Sequence, residues 1–221
     1  MLTIVEENMS QKLFQAIHDN DRAKVERLIA ADPALASAHG ESGVSALMQA
    51  RYEGRREIVD LLRPAVGALD VFEAATLGDR SRLRALLAND PGLAQAFSND
   101  GFTALHLAAF FAQPDAAAEL LRGGADPNAV AKNAMKVAVI NSAAASGRAD
   151  LVKMVLAAGA NPNARQMAGY TALHAAAAHD NVEMAQALLE AGADPSLRSD
   201  DGQSAADKAG PAVAELLKSR A

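Results

Sequence analysis

Residues 101–129 read GFTALHLAAFFAQPDAAAELLRGGADPNA, and residues 169–197 read GYTALHAAAAHDNVEMAQALLEAGADPSL. A weaker copy, AVINSAAASGRADLVKMVLAAGANPNA, occupies 138–164. The turn signatures Gly-Ala-Asp-Pro at 124, Gly-Ala-Asn-Pro at 159 and Gly-Ala-Asp-Pro at 192 are spaced by 35 and then 33 residues. The two extra residues fall between Ala129 and Ala138. Self-similarity at a period of about 20–50 residues signals a stacked array in which each unit touches its neighbours.

Each copy has a local physical reading. Thr103, Thr171 and Ser45 stand where a helix N-cap is wanted, and a hydroxyl there takes an orphan backbone amide. Leu105, Ala108 and Ala109 then recur at helical spacing, giving a short first helix. A second helix follows, as in VEMAQALLEAG, with Leu188 and Leu189 inward and Gly192 at its C-terminal stop. Asp-Pro after that glycine forbids continuation and starts an extended loop. Helices this short are marginal alone in water, so neighbours must hold them.

The first half repeats differently. FQAIHDNDRAKVERLIAADPALASA from Phe14 matches FEAATLGDRSRLRALLANDPGLAQA from Phe72, an offset of 58. Asp32-Pro33 and Asp90-Pro91 keep that offset, as do Ser45-Ala46-Leu47 and Thr103-Ala104-Leu105. Residues 11–68 and 69–126 therefore read as a duplicated pair, each a shortened unit followed by a fuller one. The tail DGQSAADKAGPAVAELLKSRA begins like the others and is truncated.

Composition agrees with thin helical layers. Half the chain is hydrophobic, yet aromatics are only 4%, and 53 of the 221 residues are alanine. So little bulky apolar material builds no thick core, whereas alanine suits helices packed very close. The absence of cysteine removes disulfides, thiolate metal sites and cysteine nucleophiles. A net charge of −6 opposes a general nucleic-acid or anionic-membrane binder. No apolar run approaches the ~18 residues of a membrane span, and Glu6 and Glu7 interrupt the amino terminus where a signal peptide would be apolar. The expectation is a cytoplasmic protein.

The pattern Gly-x-Thr-Ala-Leu-His-x-Ala-Ala followed by Leu-Leu-x-x-Gly-Ala-Asp-Pro resembles the ankyrin repeat, whose usual core reads Thr-Pro-Leu-His. The resemblance runs from about Gln11 to Leu217. It departs at 138–141, where Ala-Val-Ile-Asn replaces that core, and at 12–38 and 70–96, which lack it and so should carry non-standard loops. It implies an all-α ankyrin-repeat solenoid of about six to seven stacked helix–turn–helix units with short projecting loops. The reading is an N-terminal extension, 1–10, and a single repeat domain, 11–221. Its units fall near 11–40, 41–68, 69–98, 99–132, 133–165 and 166–198, closed by a cap at 199–221.

Catalytic chemistry finds little support. His106 and His174 hold one slot in units separated by another, so they stand about 20 Å apart if neighbouring helices pack at ~10 Å. Zinc bonds of about 2 Å cannot bridge that gap. The resemblance assigns these histidines to backbone bonds between neighbouring units. His18, His39 and His179 share no metal-ligand spacing with acidic residues. Glu57, Asp115, Asp150 and Glu183 occupy one slot near the start of the second helix, where a helix dipole favours them. The basic run Arg51–Arg56 is offset by Glu53, Glu57 and Asp60. Neither a nucleophile elbow nor a phosphate-cradling glycine loop is present. No enzyme, cofactor or metal is expected.

The resemblance also places variable contact positions around the loop tip and after the paired alanines. They are Glu41, Ser42, Val44, Tyr52 and Glu53 in one unit and Asn99, Asp100, Phe102, Phe110 and Phe111 in another. Ala134, Met135, Val137, Ala145 and Ser146 follow, then Met167, Ala168, Tyr170, Ala178 and His179. Five of the eight aromatics, Tyr52, Phe102, Phe110, Phe111 and Tyr170, fall on these positions, where chance would put fewer than one. Phe110 and Phe111 are adjacent on a helix and cannot both point one way. The expected function is non-catalytic binding of another protein through the concave loop and short-helix face. Tyr52, Asn99, Asp100, Phe102, Phe110, Phe111, Met167, Tyr170 and His179 are its candidate contacts. The expectation includes no nucleic acid, membrane or small-molecule substrate, and a monomer in isolation. Two other classes stand beside it: an inhibitory or immunity-type subunit blocking a specific enzyme or toxin, and an enzyme with a cryptic site in 132–137 or the shortened units.

Overall fold

The computed structural model describes residues 2–219, residues 2–8 by backbone alone. The described residues form fourteen α-helices and no strand, so the all-α expectation holds. They fall into two compact units: residues 1–73 with 98–100, and residues 74–97 with 101–221. Each is described by itself. No helix among the described residues is long and apolar enough to cross a membrane.

The first unit contains α1 (Leu2–His18), α2 (Arg22–Ala31), α3 (Ala46–Tyr52) and α4 (Arg56–Leu62). Residues 2–10, set apart in the sequence as an extension, are the first turns of α1. Asp21 caps α2, accepting from Lys24 N at 2.9 Å, and Ser45 caps α3, accepting from Met48 N at 3.3 Å. After α2, Asp32 leaves helical space and Pro33 starts a 3-10 turn, Pro33–Ser37. A small hairpin follows, bridged between His39 and Ser45. Helix α5 (Val71–Leu77) begins only nine residues after α4 ends, with no bridged hairpin between them. Asp70 and Glu73 cap its start reciprocally, each carboxylate accepting from the other's amide at 2.7 and 3.2 Å.

The second unit continues with α6 (Arg80–Asn89), a 3-10 turn (Pro91–Gln95), α7 (Ala104–Phe110) and α8 (Pro114–Arg122). Then come the pairs α9 (Val139–Ala145) with α10 (Ala149–Ala157), α11 (Ala172–Ala178) with α12 (Val182–Glu190), and α13 (Ala205–Lys208) with α14 (Pro211–Lys218). The 58-residue offset seen in the sequence is reproduced residue for residue. Helix α2 starts at Arg22 and α6 at Arg80, and α3 starts at Ala46 and α7 at Ala104. Asp32 and Asp90 have φ/ψ of −146/96 and −142/96. The hairpin bridged between Val130 and Ala138 is two residues longer than those bridged at 97–103 and 198–204, which is where the extra residues were expected.

The alanines do what their abundance suggests. Ala108, Ala143 and Ala176, one per inner helix, are all fully buried, and so are Ala109, Ala144 and Ala177 beside them. Leu105, Ile140 and Leu173 recur in the slot above, each at most 1% exposed. Burying such a side chain stabilises by about 1.5–3 kcal/mol, and the methyl-only neighbours let helices approach closely enough to do it. Leu188 is fully buried as expected, whereas Leu189 sits half-buried at the edge of α12.

Within the second unit, side chains also clip one repeat to the next along the outer turns. Asn128 Nδ2 donates to Gly159 O at 2.8 Å while its Oδ1 accepts from Asn161 N at 2.8 Å. Asn163 repeats this on Gly192 O at 2.9 Å and Asp194 N at 2.8 Å. Ser196, next in the series, turns back to Asp194 instead.

Six of the seven turns joining the helices of a pair, all but the last at 209–210, place one residue at positive φ: Asn20 at 56°, Gly54 at 70°, Gly78 at 76°, Ala112 at 59°, Gly147 at 74° and Asp180 at 49°. Asp180 recovers the cost by accepting from Val213 N at 2.9 Å, capping α14. Ala112 has no such compensation, and left-handed backbone costs an L-residue about 1–2 kcal/mol. Glycine there gives back part of this through the freedom of the unfolded chain. Ala112→Gly is expected to stabilise by about 0.5–1 kcal/mol, read as a raised urea midpoint. A lowered midpoint would contradict the strain.

Candidate protein-interaction face

The inner helices of the second unit present their N-terminal ends to the loops, and the N-cap does more than start each helix. Thr103 Oγ1 accepts from His106 N at 3.4 Å, and His106 Nδ1 lies 3.3 Å from Thr103 N and 2.7 Å from its hydroxyl. With an amide N–H facing Nδ1, that nitrogen accepts, and the proton sits on Nε2, which donates to Val137 O at 3.0 Å. His174 does the same with Thr171 N at 3.2 Å and Gln203 O at 3.0 Å. Each imidazole thus locks its own helix start to the next loop, the role the resemblance assigned. Burial drives the His106 imidazole down to about 4.

Asn141, which seemed to break the pattern, fills the same slot. Its Oδ1 accepts from Ala138 N and its Nδ2 donates to Ala164 O, both at 3.3 Å. An amide carries the acceptor and donor that a neutral imidazole carries, so this slot stays satisfied.

The loop tips are joined through backbone. Lys132 N donates to Gly101 O at 2.8 Å, Met167 N to Met135 O at 2.8 Å, and Asp200 N to Ala168 O at 2.9 Å. These bonds fix the tips in a row. Met135 and Met167 stand out of it at 43% and 56% exposure, and Phe110, at the end of α7, is 48% exposed. Met135 is one of the contact positions of the repeat pattern but lies outside the nine candidate contacts drawn from it.

Four of the five aromatics are only half exposed. Phe102 tilts against His106 with ring centroids 5.9 Å apart, and Tyr170 stands edge-on to His174 at 5.4 Å. Phe111 packs edge-on to Phe110 at 5.2 Å, so one ring faces water and the other covers the helix, as adjacent residues require. Tyr170 OH donates to Asp201 Oδ2 at 3.3 Å, and Lys208 Nζ lies 5.2 Å above its ring. In the first unit, Tyr52 OH donates to Asp100 Oδ2 at 2.7 Å, and burial first, then this bond, pushes its hydroxyl well above the usual range. Ser98 also donates to Asp100, and Asn99 Nδ2 donates to Gly43 O at 3.1 Å. Tyr52, Asn99 and Asp100 therefore come together as a tie for the loop tip 98–100. His179, at the end of α11, and Met167 are exposed.

Elsewhere in the first unit, a groove of about 960 Å³ is lined by Phe14, His18, His39, Gln49 and Glu53, with His18 Nδ1 3.6 Å from Glu53 Oε1. Among the described residues no three histidines or carboxylates gather as a metal set.

Two family descriptions match this chain: ankyrin repeats in three copies over residues 13–131, and ankyrin repeats in many copies over residues 156–209. The chain belongs to the ankyrin-repeat family. The E3 ubiquitin-protein ligase XB3 of Oryza sativa subsp. japonica is 42% identical over 93 residues, which are 42% of this chain and 20% of the ligase. The chain therefore matches a fifth of that relative's length. Ankyrin repeats are protein–protein interaction modules, generally without catalysis of their own.

Proposed function

We propose that this ankyrin-repeat chain binds a partner protein through the loop tips and inner-helix ends of its second unit. Phe110, Met135 and Met167 are the apolar anchors, with Phe102, Phe111, Tyr170 and His179 around them. Tyr52, Asn99 and Asp100 act by holding a loop tip. The observation that carries the reading is the row of backbone-bonded tips from which the two methionines project. A row fixed beforehand loses little freedom on association, and large apolar side chains in such places supply most of the affinity of protein interfaces. Ubiquitin transfer is not carried over, because only a fifth of the rice ligase is matched.

A photo-crosslinking phenylalanine derivative placed singly at positions 110, 135 and 167 tests this. One and the same protein should be trapped from all three, and not from Ala157 or Glu190, which are exposed at the outer helix ends. With that protein purified, Phe110→Ser and Met167→Ser should each weaken binding about tenfold or more. Equal trapping from the outer positions, or unchanged affinity of both variants, would overturn the assignment.

A further inference from the structure

Helices α6 and α8 of the second unit bring three guanidinium groups onto one carboxylate. Glu119 is 5% exposed. Its Oε2 accepts from Arg80 Nε at 3.0 Å and Arg84 Nη2 at 3.1 Å, and its Oε1 from Arg84 Nε at 3.3 Å and Arg122 Nη1 at 2.6 Å. A carboxylate has about four acceptor sites, so Glu119 is saturated. The arginines are not. Each carries about five N–H donors, Arg80 and Arg122 spend one apiece, and their side chains are 47% and 53% exposed.

Neutralising Glu119 needs only one cation, and the two-pronged bond from Arg84 already supplies it. Arg80 and Arg122 add charge beyond that need. Among the described residues, no second carboxylate comes within ion-pairing distance of the three. Three positive charges against one negative leave two in excess at one point, in a chain whose total is −6. Like charges held this close repel, so the arrangement suits an anion more than it suits folding.

We propose that Arg80, Arg84 and Arg122 form a receptor for a phosphate monoester, with Glu119 holding the three guanidiniums in place. A monoester carries a charge of about −1.5 to −2 near neutral pH and three strong acceptor oxygens. That matches both the excess charge and the spare donors. A single carboxylate would balance half of it, and a nucleic-acid strand would meet the repulsion of the acidic chain. The arginine fork also fits phosphate oxygens two at a time.

The test is an NMR titration of the arginine Nε–H signals of the full chain, at constant ionic strength and pH 7.5. Inorganic phosphate and N-acetyl-O-phosphoserine N-methylamide are the two probes. The signals of Arg80, Arg84 and Arg122 should shift saturably with at least one probe. Tighter binding of the blocked phosphoserine assigns the site to a phosphorylated protein side chain, and tighter binding of inorganic phosphate assigns it to a free small phosphate. Arg80→Gln leaves the Arg84–Glu119 fork intact and should weaken binding at least fivefold. Arg148→Gln, which removes an exposed arginine paired with Asp150, should leave it unchanged. Uniform, unsaturated shifts across all arginines with both probes, or equal affinity in Arg80→Gln, overturns the proposal.

Discussion

Between pH 6.5 and pH 4 the protein is expected to lose about 3 kcal/mol of folding stability through His106 alone. In the unfolded chain this imidazole takes a proton near 6.5, but in the folded chain only near 4, because it is 1% exposed. In between, the unfolded state holds the proton, so every step down in pH favours unfolding. The stability is complete above the unfolded value, and the loss is complete below the folded one. Geometry gives the same sign: a proton on Nδ1 would face the Thr103 amide that now donates to it. Urea midpoints at pH 7.5, 6, 5 and 4.5 measure the loss. His106→Asn should flatten the profile, since Asn141 shows an amide serving in that slot. An unchanged slope in the variant would sink the assignment. The carboxylates held low act in a separate, more acidic window. Arg122 and Arg84, with Arg80, bring Glu119 down to about 2, and Asp150, Asp194, Asp201 and Asp207 are likewise lowered by their hydrogen bonds. Their contributions begin to fail only as the pH drops through the ordinary carboxylate range.

The second large effect comes from comparing two glycines. Gly101 and Gly124 have nearly the same backbone, with φ of 87° and 90°. Alanine at either costs about 1–2 kcal/mol for left-handed backbone. At Gly124 the new methyl meets nothing within 4 Å. At Gly101 it would lie 2.9 Å from the carbonyl carbon of Lys132 and 3.0 Å from its oxygen. The loops must part, and the Lys132 N to Gly101 O bond goes with them. Gly101→Ala should therefore cost about 3–4 kcal/mol, against 1–2 for Gly124→Ala, by chemical denaturation. Equal costs would mean that the joined tips contribute nothing.

Periodic features were legible in the sequence because they depend on a residue and its near neighbours. Spacings of 33, 35 and 58 and the caps at Ser45 and Thr103 follow from local chemistry repeated, whereas the bonding of His106 and His174, which reaches 31 and 29 residues along the chain, was implied by the family resemblance. What escaped depends on partners far along the chain. Glu119 meets Arg80 and Arg84 across 39 and 35 residues, and no motif announces that meeting. Ring exposure likewise depends on the packed structure. Phe102 and Tyr170 lie over the imidazoles four residues on, so a contact position in the pattern need not be an exposed one. Asn141 shows the converse, a departure from the motif that keeps its hydrogen bonds.

The asparagine clips have a consequence for how such an array can lengthen. A clip needs an asparagine in one repeat and the turn glycine of the next. A tandem duplicate of residues 133–165, set after the original, would find Asn163 ready to seize its Gly159 equivalent and would itself offer an asparagine onward. A duplicate of 166–198 would arrive to find Ser196 folded back on Asp194. Whether a repeat can be copied in place is thus written in a single side chain at its outer turn, and by that measure the penultimate repeat is fertile and the one after it is not.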